Sequence, residues 1–128
     1  MGIVVVNTHL AADWRTPRAE ELRVRQAQAL TAWLDASAGD VPVVLAGDFN
    51  ATPGSEPLAV LARGGTRLSS GLATFPSQEP TAALDHAFLW RGRLRLAREE
   101  AMASVASDHR PLVLELQVPV DTPPARWK

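Results

Sequence analysis

The chain has 128 residues, enough for one domain, with 46% hydrophobic and 21% charged residues and no cysteine. The missing thiols exclude a disulfide framework, a cysteine nucleophile and a thiolate metal site. Thirteen basic residues against fourteen acidic ones give a formal net charge of −1, so no overall positive field holds a polyanion non-specifically.

Ile3 to Val6 is an uninterrupted β-branched run and predicts a buried strand leading into Asn7-Thr8-His9-Leu10. After a polar loop, Thr16-Pro17 suits an N-cap and first helical residue, with Glu20 and Glu21 in the favourable first turn. A helix is expected from there to Ala38, burying Leu22, Ala29, Leu30, Trp33 and Leu34 on one face and stopping at Gly39. Val41 to Ala46 predicts a second strand, ending in Gly47-Asp48-Phe49-Asn50. A short helix follows from Ser55-Glu56-Pro57 to Arg63, and residues 64–81 read as loop. Further strands are expected at Leu84–Trp90, Leu94–Ala103 and Leu112–Leu116. Strands apolar along their length imply a sheet covered on both faces, and the element order implies an α/β domain over residues 1–118. Residues 119–128, rich in proline, read as a flexible tail. No stretch has the roughly 18 apolar residues of a membrane span. Gly2 to Val6 is too short for a signal-peptide core, so the expected location is the cytoplasm.

The three histidines, His9, His86 and His109, all lie in or beside strand segments, as do Asp48, Asp85 and Asp108 among the seven aspartates. Strand ends of an α/β sheet are where sites collect. In an extended chain Asp48 and Asn50 would share one side and could orient a water or a phosphate oxygen. A plain turn is the other reading, since Asp-x-Asn before Thr-Pro-Gly caps and bends chains. Asp108-His109 suits hard-cation binding and proton transfer, or an ordinary surface loop. Asp85 interrupts an apolar strand. It either pairs with a histidine from another strand or faces water at a sheet edge. His9 shares a side with Asn7 and is otherwise a strand-end histidine bonded to backbone. Arg91, Arg93 and Arg95 alternate along a face expected to be solvated, and Arg110 could meet a phosphate or solvent.

Four segments in order resemble the endonuclease/exonuclease/phosphatase, or deoxyribonuclease I-like, superfamily. They are Val6-Asn7-Thr8-His9-Leu10, then Leu45-Ala46-Gly47-Asp48-Phe49-Asn50 with Thr52-Pro53-Gly54-Ser55, then Thr74-Phe75-Pro76 leading to Leu84-Asp85-His86-Ala87-Phe88, and finally Ala106-Ser107-Asp108-His109-Arg110-Pro111. The resemblance implies one mixed β-sheet with flanking helices, half of a four-layer α/β sandwich. It also implies a divalent-metal-dependent phosphoesterase that hydrolyses a phosphodiester or phosphomonoester of a small molecule, lipid or nucleic acid. By resemblance, Asp48 and Asn50 position or deprotonate the attacking water, and His109 paired with Asp85 acts at the scissile phosphate. His9 touches the phosphate or assists the leaving group, and Asp108 holds Mg²⁺ or Mn²⁺.

The family's earlier half, with an Asn and a metal-binding Glu, has no counterpart in this sequence. The expectation is therefore a C-terminal half-domain with an incomplete metal site. Its open sheet face would be covered by a homodimer or by an upstream piece of the same protein. A non-catalytic, truncated or degenerate domain that associates with itself or a partner chain is the alternative expectation.

Overall fold

The computed structural model describes residues 2–37 and 39–120. The element order is β1 (Val4–His9), α1 (Pro17–Ser37), β2 (Val43–Asp48), α2 (Glu56–Gly64), β3 (Thr66–Arg67), β4 (Asp85–Trp90), β5 (Arg95–Ala101) and β6 (Leu112–Gln117). Each expected element forms within a few residues of its predicted span. β3 is an addition, two residues inside the stretch read as loop. Ala38 and residues 121–128 of the predicted tail lie outside the described residues.

The first sheet has the order β1-β2-β4-β3. β1 runs parallel to β2, and α1 makes the crossover. β2 and β4 are antiparallel. Alternation along these strands divides their side chains between two faces. Val43, Leu45, Phe88 and Trp90 pack with Leu34 of α1 and Leu58 and Leu61 of α2 in the larger core. Gly64 and Gly65 let the chain lie against the Trp90 ring, where a Cβ on Gly65 would come within 2.4 Å of it. The indole N–H is donated to Asp35 Oδ1 at 3.0 Å.

The opposite face meets a second, two-stranded sheet of β5 and β6. Leu94, Leu114 and Leu116 pack there on Val44, Ala87 and Leu89. The single mixed sheet expected from sequence is thus joined by a second layer, the start of a sandwich. The expectation of full cover holds for β2 and β4. On β1 the burial alternates, and Val5 is 69% exposed beside an exposed Asn7. No described helix is long and apolar enough to cross a membrane.

Two side-chain placements depart from the expected pattern. α1 buries Arg23, Ala27 and Leu34, while Leu22 and Trp33 are about half exposed. The helix is turned because the Arg23 guanidinium reaches under it and donates to Ala11 O and Ala12 O. It thereby tethers the loop that follows β1. Arg91 is not on a solvated face. It donates to Leu34 O, Asp35 O and Gly39 O, filling carbonyls left unpaired at the end of α1.

Candidate active site

The register of the first sheet carries the site. His9 pairs with Asp48, and Asp48 pairs with Asp85. The three residues therefore form one row across β1, β2 and β4, at the carboxyl ends of β1 and β2, and alternation turns their side chains to the same face. The strands approach closely here because position 47 is glycine. Gly47 has φ +150°, and a Cβ on it would lie 1.9 Å from Thr8 O.

His109 closes the row from the other layer. Its loop precedes β6, and its Nδ1 lies 2.7 Å from Asp85 Oδ2. Its Nε2 is 3.6 Å from Asp48 Oδ2, an oxygen that also stands 3.4 Å from His9 Nε2. One carboxylate oxygen thus sits between two imidazoles. The other Asp48 oxygen accepts the Asn50 backbone N–H at 2.9 Å. Asp48, Asp85 and His109 each offer one ligand atom, all within 4.8 Å of one another. A cavity of about 240 Å³, lined by Gly47, Asp48, Asp85, Arg110 and Leu114 among others, opens beneath them.

The charges respond to one another. Burial pushes the Asp48 carboxyl above the ordinary carboxylate range, and the charge of Asp85 adds to this. The Asn50 N–H and the charges of His109 and His9 pull it back in part. Burial opposes charge on His109, but the hydrogen bond and charge of Asp85, with the charges of Asp48 and Asp108, outweigh it and raise its pKa. His9 is 72% exposed in its side chain and marks the open end of the row.

Three residues behave differently from expectation. Asn50 does not extend the β2 alternation, because the strand ends at Asp48 and the chain turns. Asn50 takes φ +45°, a left-handed conformation that asparagine tolerates. It is buried, and its amide donates to Leu10 O at 2.9 Å, tying the ends of β1 and β2 together. Asp108 is exposed and stands outside the three-residue cluster; its side chain meets Ser107 Oγ at 3.3 Å. Arg110 spends its guanidinium on Ser77 O and Gln78 O.

Two neighbours of the site had no role from sequence. Thr74 donates its hydroxyl to Asp85 Oδ2. The Phe75 ring lies 5.0 Å from the His109 ring, centroid to centroid. Only their presence in a matching segment pointed to them.

The profile of the Endonuclease/Exonuclease/phosphatase family matches residues 2–109. The chain belongs to this family, whose members are metal-dependent phosphoesterases. Solved structures agree on the fold. A Danio rerio TDP2 humanized by 14 mutations superposes with a TM-score of 0.71 at 16% identity, over 91% of this chain and 55% of that one. The mannosyl-6-phosphatase of Bacteroides thetaiotaomicron gives 0.62 at 20% identity, over 88% and 50%. Beta toxin of Staphylococcus aureus, a double mutant with bound magnesium ions, gives 0.59 at 14% identity, over 84% and 51%. The chain spans about half the length of these structures. No curated protein sequence matches it at a significant level.

Proposed function

We propose that this chain carries a divalent-metal-dependent phosphoesterase site that hydrolyses a phosphodiester or phosphomonoester by attack of water. The observation that carries the reading is the His9–Asp48–Asp85 row with His109 bonded to its far end. Asp48 Oδ2 retains acceptor capacity, since its neighbours are two imidazoles at 3.4 and 3.6 Å. It takes a proton from a water held at the mouth of the row. Its raised pKa suits that task. Asn50 holds the water-bearing turn in place. His109, paired with Asp85, faces the developing oxyanion, and His9 touches the phosphate from the open side.

The donor set fits a hard cation: carboxylates and imidazole, with no thiolate. Asp108, exposed beside His109, is the residue that would hold Mg²⁺ or Mn²⁺ together with waters, and the ion would supply neutralisation of the phosphate charge when bound. The magnesium held by the beta toxin neighbour supports this choice. The substrate class extends over small-molecule, lipid and nucleic-acid phosphoesters, and the weak net charge favours the first two. The uncovered strip at Val5 and Asn7 is where we place a covering surface, either a second copy of the chain or further protein.

A second reading rests on a specific observation. Asp85 Oδ2 and His109 Nδ1 are already bonded to each other, and Asp108 stands apart, so few free ligands converge. A non-catalytic domain that binds a partner chain would look the same.

Hydrolysis of bis(p-nitrophenyl) phosphate with Mg²⁺ or Mn²⁺, with a chelator, and by Asp48→Ala decides between them. Metal-dependent turnover lost in Asp48→Ala is expected. Turnover equal in the two proteins would sink the catalytic reading.

A further inference from the structure

The dyad of Asp85 and His109 spans two layers. Asp85 begins β4 of the first sheet, and His109 precedes β6 of the second. No strand ladder joins the two sheets among the described residues. The segment Thr74–Ser77 does join them. Thr74 N–H is donated to Ala82 O at 2.9 Å, and Thr74 O accepts Arg110 N–H at 2.7 Å. Ser77 N–H is donated to Asp108 O at 2.8 Å. Phe75 lies against the His109 ring. The segment is thus a splint, bonded on one side just before Asp85 and on the other on both sides of His109.

We propose that Thr74 is a positioning residue: its hydroxyl fixes the Asp85 carboxylate in the orientation that receives His109 Nδ1–H. A carboxylate with one donor turns readily about its last torsion, which is broad and two-fold. Here two donors converge on the same oxygen, Asp85 Oδ2. Thr74 is fully buried, so no water competes for its hydroxyl. His109 faces Asp85, Asp48 and Asp108. With Asp85 free to turn, its ring loses the partner that holds Nε2 toward Asp48. The catalytic meaning of Thr74 rests on the phosphoesterase reading above; the geometric claim does not.

The test is proton NMR of the whole chain without added metal, alongside turnover. In the wild type, the His109 Nδ1–H is expected as a downfield resonance, with a cross-peak to a slowly exchanging Thr74 hydroxyl proton. Thr74→Val should lose or shift the downfield resonance while the Trp90 indole N–H, a reporter of folding, stays in place. Thr74→Ser should restore it. In turnover, Thr74→Val should lower kcat about 10- to 100-fold with KM little changed, the usual scale for removing a partner that orients a functional group. A folded Thr74→Val with the wild-type His109 resonance overturns the proposal. So does the absence of the hydroxyl cross-peak in the wild type, or loss of the resonance in Thr74→Ser; both readouts stand even where Thr74→Val fails to fold. A wild type that shows the NMR pattern but hydrolyses nothing refutes the phosphoesterase reading and leaves the positioning claim intact.

Discussion

The chain contains two Asp-His dipeptides, Asp85-His86 and Asp108-His109, and the fold uses opposite members of each. At 85–86 the carboxylate faces the row. The imidazole goes to the other side of the pleat, 1% exposed, beside Phe49. His86 Nε2 lies 2.8 Å from Ala51 O, and Nδ1 lies 3.3 Å from Arg67 Nη2. Burial lowers its pKa, with the nearby Arg67 charge acting the same way. At 108–109 the imidazole faces the row and the carboxylate points to solvent, and the pKa of His109 is raised. The dyad takes its Asp from one dipeptide and its His from the other. Identical neighbours in sequence thus have histidine pKa values moved in opposite directions, because the β4 pleat turns His86 into the core while the loop before β6 turns His109 toward carboxylates.

The strongest way to break this contrast is to separate the strands that hold the row. Gly47→Ala would drive a Cβ into Thr8 O, and we expect loss of at least about 4 kcal/mol, in the exceptional range for one substitution. Circular dichroism through a denaturant series would reveal it; a wild-type midpoint would show that β1 can move aside. Asp85→Asn and His109→Gln each should reduce turnover about 10²- to 10⁴-fold, the scale of general acid–base participation, with the fold retained. Equal turnover in either variant would remove the dyad from the chemistry.

His86→Phe should do the reverse. It leaves Ala51 O and Arg67 Nη2 without their His86 contacts, and should cost about 1–3 kcal/mol of stability. Turnover per folded molecule should survive. The smallest effect is in pH. The folded pKa of His86 lies below 6.5, so its stabilisation is present above 6.5 and is lost as pH falls through the folded value. The folded pKa of His109 lies above 6.5, so its stabilisation is present below 6.5 and fades as pH rises through the raised value. Stability measured across this window should lose its acid-side slope in His86→Phe and its alkaline-side slope in His109→Gln. Unchanged slopes would mean that neither imidazole is perturbed as described.

Local pattern was enough for much of the molecule. β-branched runs, a Thr-Pro helix start and the Gly39 stop placed the strands and the long helix to within a few residues, since propensity and periodicity act over a few neighbouring positions. The polar residues at strand ends identified His9, Asp48, Asp85 and His109, which the fold brings together. The tertiary structure alone decided the rest. The face that α1 buries depends on carbonyls at Ala11 and Ala12 that attract Arg23. Asn50 turns inward because Leu10 O, forty residues away in sequence, needs a donor. Thr74 joins the site because the segment 74–77 lies between two layers. These are pairings between distant parts of the chain, set by which buried polar groups lack partners once the layers have packed, and no window of neighbouring residues contains that information.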